Sequence, residues 1–147
     1  MNYKERNSGS NFAEEFFEQY CKNYYIRRIG FDEKHDNIPH FYNMSRMLRN
    51  LPDYYVDTGK KQFVVNVKGT DCIKQKEYDI IPLLSSAYSD DNCMLVYAFC
   101  FKENTKPIFL YPMEVINTYD QKEDRVWHDG IVYRKLGIRW FFIPDKC

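Results

Sequence analysis

The sequence predicts one mixed α/β domain, and three stretches carry that expectation. Residues Phe12–Tyr24 place apolar side chains on one half of a helical wheel. Residues Leu51–Thr70, LPDYYVDTGKKQFVVNVKGT, read as two β-rich runs around an Asp-Thr-Gly-Lys turn. Residues Asn92–Phe101, NCMLVYAFCF, are continuously apolar, as expected of a central strand covered on both faces. A helix, a hairpin, a further helix and more strands describe a central mixed sheet flanked by helices.

Taken in order, residues 1–10 are polar and form an expected flexible tail, with a single domain over 11–147. Asn11 followed by Glu14 has the spacing of an N-cap with a carboxylate three positions on, so the first helix is expected to begin there. Tyr24–Ile29 is β-prone and is ended by Gly30. Residues 31–50 read as an insertion: FDEKHDNIPH is loop-like around Pro39, and Phe41, Met44, Met47 and Leu48 then recur at helical spacing. His35 and His40 flank Asp36 in this insertion. That trio is a candidate for metal binding or proton transfer, although isolated histidines in a polar loop are commonly surface residues.

In the hairpin, residues two apart share a face. Asn66 and Lys68 therefore project with Val64, while Phe63, Val65 and Val67 fill the other side. A loop of Thr58–Gly59 sets Asp53 opposite Val64, whereas a loop of Thr58–Lys61 sets it opposite Asn66. Both registers bring a carboxylate, an amide and an ammonium toward one spot.

Asp79–Tyr88 reads as a helix with Pro82 in its first turn; the alternative is a start near Gln75 with a kink at Pro82. Pro107–Met113 is expected as a strand and 117–125 as a polar loop. His128-Asp129-Gly130 supplies the turn of a C-terminal hairpin, and Arg139–Ile143 a last strand. Residues 117–147 thus read as a C-terminal hairpin appendage.

Composition narrows the function classes. The 147 residues are 44% hydrophobic and 18% aromatic, with thirteen tyrosines, which excludes a disordered chain. Lys+Arg and Asp+Glu are balanced at 21 each, so any nucleic-acid contact has to come from a local basic patch. Five cysteines without a CxxC pair argue against zinc or a disulfide framework and for reduced thiols. With a polar N-terminus and no apolar run of about 20 residues, the expectation is a cytoplasmic protein without membrane contact.

Pro52-Asp53, twelve residues, then Asn66-Val67-Lys68 resembles the signature of the PD-(D/E)xK nuclease superfamily, which includes restriction endonucleases and Holliday junction resolvases. Gly69-Thr70 after the lysine, and Gly9 ahead of Glu14, are also similar to that family. The resemblance covers the hairpin well and residues 9–115 more loosely. It implies a restriction-endonuclease-like αβββαβ core, with the last strands as an extra, and metal-dependent hydrolysis of phosphodiester bonds, with DNA, possibly branched or structured, as the expected substrate.

By the same resemblance, Asp53, residue 66, the Val67 carbonyl and Glu14 hold Mg²⁺ or Mn²⁺, and Lys68 acts beside them. The chain departs from the signature at Asn66, where an acidic residue is usual. Three accounts of Asn66 compete: an active enzyme with a migrated or tolerated ligand, a protein disabled by an Asp→Asn exchange, or a degenerate nuclease fold that binds nucleic acid or protein. Asp57 and Asp71 are further carboxylates able to compensate. A nucleic-acid track is expected from Lys60, Lys61, Lys74, Lys76 and Tyr78, with Tyr54, Tyr55, Arg27, Arg28, Arg46 and Arg49 behind them. A homodimer through Trp140–Phe142 and a phage-like origin complete the expectations.

Overall fold

In a computed structural model, residues 3–30, 51–90 and 93–138 are described. The 31–50 insertion with His35, Asp36, His40, Arg46 and Arg49, and the Arg139–Ile143 strand with the Trp140–Phe142 surface, lie outside the described residues.

Helix α1 (Tyr3–Tyr20) leads into β1 (Tyr25–Arg28), β2 (Tyr54–Asp57) and β3 (Gln62–Lys68). Next come β4 (Cys72–Lys74), α2 (Gln75–Ala87), β5 (Ser89–Asp90) and β6 (Cys93–Phe99). The chain closes with β7 (Ile108–Leu110), α3 (Pro112–Asp120), β8 (Arg125–Val126) and β9 (Val132–Lys135). The main sheet runs β1-β2-β3-β6, and the far side of β6 is shared by β5 and β7. The β1–β2 and β2–β3 pairs are antiparallel, whereas β6 lies parallel to β3. That switch follows from the connection, because β4 and α2 carry the chain back to the start of the sheet before β6 begins.

The alternation in β3 sorts two cores onto two faces. Val65, with Phe63 and Val67 against it, joins Ala13 and Phe17 of α1 and Cys21 just after it. Val64 joins Ile80, Ile81 and Leu84 of α2, Val115 and Tyr119 of α3, and Leu136 and Ile138. The apolar run Leu95–Phe99 contributes to both clusters, as its lack of alternation predicts.

Three boundaries differ from the sequence reading, and a fourth, the start of α2, takes the alternative that reading offered. Helix α1 starts at Tyr3, so Asn11 and Glu14 are interior residues and the expected cap at Asn11 does not exist. Helix α2 starts at Gln75 and keeps Pro82 inside it. The missing Pro82 N–H forfeits one backbone bond, which the packing of Ile80, Ile81 and Leu84 offsets. The expected Pro107–Met113 strand stops at Leu110, and Pro112–Asp120, read partly as loop, is helix α3. Pro112 preorganises its first turn, and Glu114 accepts the Tyr111 backbone N–H at 2.9 Å.

The C-terminal hairpin is integral to the core. Strand β9 pairs with β4 and β8 in a second three-stranded sheet. The buried Asp71 carboxylate accepts the Gly137 N–H at 2.9 Å, and Leu136 is fully enclosed. Cys21, Cys72, Cys93 and Cys100 are free thiols. No helix among the described residues is long and apolar enough to cross a membrane.

Candidate active site

The hairpin takes the four-residue loop Thr58–Lys61. The Thr58 N–H donates to the Lys61 carbonyl at 3.0 Å, Gly59 adopts φ 86°, and its N–H is held by the Asp57 carboxylate at 2.8 Å. Tyr54 then pairs with Val65, and Asp53 falls beside the end of β3. Its N–H donates to the Val65 carbonyl at 2.9 Å, while its own carbonyl accepts the N–H groups of Ile29 at 2.9 Å and Gly30 at 3.3 Å. Asp53 is thus tied to both neighbouring strands through its backbone. Gly30 makes this possible, since a Cβ there would stand 3.0 Å from the Pro52 carbonyl oxygen and 3.2 Å from the Asp53 Cα.

Asp53, Asn66 and Lys68 open into one pocket of about 210 Å³, together with Leu51, Val67, Glu77, Ile80, Leu84 and Tyr97. The convergence expected from the i, i+2 spacing is therefore present. Asp53 Oδ2 accepts the Val67 N–H at 2.8 Å. Burial pushes its carboxyl up to about 6. The Val67 N–H opposes the rise, Glu14 adds to it, and the cations Lys68 and Arg28 oppose it. Asn66 shares a side-chain hydrogen bond with Tyr97, its neighbour on β6.

Glu77 is a pocket residue that the sequence reading missed. Its Oε2 lies 2.6 Å from Lys68 Nζ, and its Oε1 accepts the Lys74 N–H at 3.2 Å. Burial alone would raise its carboxyl, but Lys68, the Lys74 N–H and the Lys74 charge together hold it below the ordinary carboxylate range. A helix start at Gln75 puts Glu77 at the third position, where a glutamate reaches back to the cap. That spacing was the available signal.

The other expected residues disperse. Glu14 is not among the pocket-lining side chains; its carboxylate pairs with Arg28 at 3.4 Å and acts on Asp53 through its charge. Lys60 and Lys61 are exposed in the hairpin loop, at the opposite end of β3 from Asn66 and Lys68, roughly 17–23 Å away at the rise of a strand. Lys74 is near the site through Glu77 and lies 5.9 Å from the Trp127 ring centroid. Lys76 is exposed on α2. Tyr78 stacks on Tyr119 at 4.2 Å and donates its hydroxyl to Asp120 at 2.7 Å, so it joins α2 to α3. Asp57 and Asp71, the reserve carboxylates, are committed to the loop and to Gly137.

Among the described residues no group of three or more His, Cys, Asp or Glu side chains is gathered to hold a metal ion. The pocket's open ligating groups are instead oxygen, the Asp53 carboxylate and the Asn66 amide, while both Glu77 oxygens are already bonded, to Lys68 and to the Lys74 N–H. Hard divalent cations take such donors, and Mg²⁺ in particular makes do with one or two carboxylates plus water and phosphate. A buried carboxyl whose proton is held up to about 6 also gains most from a neighbouring cation. These are donors of the type that a hard divalent cation takes.

No protein-family model, curated protein or solved structure matches the chain. The chemistry of the pocket therefore rests on its own residues.

Proposed function

We propose that this pocket is the centre of a metal-dependent nuclease of the PD-(D/E)xK type, acting on DNA. The observation that carries the reading is the convergence of Asp53, Asn66 and Lys68 on one pocket at the end of the β2–β3 hairpin. The order of elements supports it: α1, the antiparallel strands β1 to β3, the short β4, α2, the short β5 and then β6 parallel to β3, with α1 and α2 on opposite faces. We take this order as a form of the αβββαβ core that the resemblance implies, with β4 and β5 as additions to it.

Asp53, the Asn66 amide oxygen and the Val67 carbonyl would hold Mg²⁺ or Mn²⁺. Such an ion supplies Lewis acidity to a phosphate oxygen and lowers the pKa of water. The protein's own groups do the rest. Asp53 brings the buried negative charge, and the Val67 N–H fixes the direction of one of its oxygens. Lys68 places an ammonium in the pocket, where it steadies the charge that builds on phosphate as water attacks phosphorus and the ester oxygen leaves. Glu77 fixes the Lys68 ammonium in position. Tyr97 orients the Asn66 amide.

The neutral Asn66 favours a second reading, a catalytically degenerate form of the fold that binds nucleic acid or protein. Calorimetric titration with Mg²⁺ and Mn²⁺, paired with cleavage of supercoiled, linear, single-stranded and four-way-junction DNA in Mn²⁺, separates the two. Metal binding with cleavage is expected. Absence of both, with DNA or protein binding retained, assigns the second reading.

A further inference from the structure

The face that carries Asp53 continues toward β1. Tyr55 lies two residues along β2 from Asp53 and so shares its face, about 7 Å away along the strand. Arg27 is directly across from Tyr55, and Tyr25 is two residues from Arg27. Tyr25, Arg27, Ile29 and Tyr55 line an open cleft of about 450 Å³. Ile29 joins cleft to pocket, since its N–H donates to the Asp53 carbonyl.

The chemistry of this cleft is specific. The Tyr25 and Tyr55 rings meet edge to face at 6.2 Å and 70°, and Tyr25 is 59% exposed, so the outer face of its ring is open to solvent. Arg27 is exposed, and among the described residues no carboxylate pairs with it. Arg28, by contrast, is engaged by Glu14. An aromatic face beside an uncommitted guanidinium is the pair of groups that takes a nucleobase and its phosphate. In duplex DNA the base faces are stacked on one another, so only an unpaired nucleotide presents one to Tyr25.

We propose that the Tyr25–Arg27–Tyr55 cleft is a nucleotide subsite that takes an unpaired base of a DNA strand, with its phosphate on Arg27, adjoining the Asp53 pocket. The proposal deepens the nuclease reading, on which its link to cleavage rests, by making the substrate single-stranded or locally splayed DNA.

The test uses labelled oligo-dT and a duplex of equal length, read by fluorescence anisotropy in EDTA so that no strand is cut. Tyr25→Ala and Arg27→Ala are each expected to weaken oligo-dT binding roughly tenfold. Arg27→Ala should also flatten the salt dependence by about one phosphate contact. Lys106→Ala, in the loop that leads into β7, serves as the control, and circular dichroism melts verify folding. A 5-iodouracil oligonucleotide should photo-cross-link to Tyr25 or Tyr55. Oligo-dT affinities for Tyr25→Ala and Arg27→Ala within twofold of the parent, or cross-links confined to other residues, overturn the subsite.

Cleavage in Mn²⁺ separates this inference from the reading beneath it. Cleavage by the parent with an unchanged KM in Tyr25→Ala overturns the subsite and leaves the nuclease standing. Loss of oligo-dT binding in Tyr25→Ala, in a protein that neither binds metal nor cuts, supports the subsite and overturns the nuclease.

Discussion

Lys68 Nζ lies 2.6 Å from Glu77 Oε2, and this ion pair fastens the end of β3 to the first turn of α2. Both side chains are about three-quarters enclosed, with 20% and 26% of their surface exposed. Their attraction is therefore less screened than at an open surface. One contact thus serves the helix start and the pocket together.

Glu77→Gln should destabilise the fold by about 1–2 kcal/mol near neutral pH, as expected for a charge-assisted bond in a partly buried place. The pH dependence has a definite sign. Glu77 is held below its ordinary value of 4.5 in the folded protein. Its contribution is therefore fully present above that value and is lost as pH falls through the lower folded value. Urea melts of the parent and the variant should differ by a constant amount above about pH 5.5 and converge in stronger acid.

Asp53 titrates in the opposite sense. Its proton is held to about 6 against an ordinary 3.8, so the folded state binds more protons across that interval. Stability from this group is complete below 3.8, declines as pH rises toward 6, and is flat beyond it. Asp53→Asn should therefore raise stability at pH 8 by about 1–2 kcal/mol while abolishing metal binding, an exchange common at functional sites. Metal binding by the parent near pH 6 should release a proton. Calorimetry in two buffers of different ionisation enthalpy measures that release.

The hairpin and its three polar residues were legible because strand periodicity is strict: once β3 alternates, Asn66 and Lys68 must share a face. The loop length was not legible. Thr58–Gly59 and Thr58–Lys61 both carry turn residues, and the choice is made by Asp57 and Thr58 bonding to the loop backbone. Lys60 and Lys61 looked close to the site because they are near it in sequence, yet a strand carries them away from it. Glu77 was passed over because Pro82 favoured a helix start at Asp79 over the alternative start near Gln75. Helix α3 was hidden in the same way by the β-prone run before Pro112. The Asp71–Gly137 bond spans 66 residues, and no local pattern announces a contact of that range.

Gly30 tests how tightly Asp53 must be placed. A methyl group at residue 30 would meet the Pro52 carbonyl and the Asp53 Cα, both backbone and neither free to rotate aside. Gly30→Ala should displace the Pro52–Asp53 segment, cost about 1–3 kcal/mol, and weaken Mn²⁺ affinity severalfold. A thermal melt and a metal titration on the same sample give both quantities. Full metal affinity alongside a lowered melting temperature would mean that the pocket tolerates a shift of Asp53.

Asn66→Asp asks what the neutral residue means. The two side chains are nearly the same shape, and Tyr97 beside residue 66 carries a hydroxyl able to donate to a carboxylate, so the fold should be kept. Without metal, a second carboxylate facing Asp53 repels it, and one of the two protons is held to still higher pH. With Mg²⁺ or Mn²⁺ the repulsion is offset, so affinity should rise by about tenfold or more, and cleavage should rise with it. Lys68→Ala in the same background should keep the metal and lose the cleavage, because the lysine acts on phosphate charge and not on the ion. Tighter metal binding without cleavage would identify a site restored in charge alone, as expected of a fold turned over to binding. Unchanged metal binding would remove residue 66 from the ligand set and leave Asp53 as the carboxylate of the described pocket that is open to a cation.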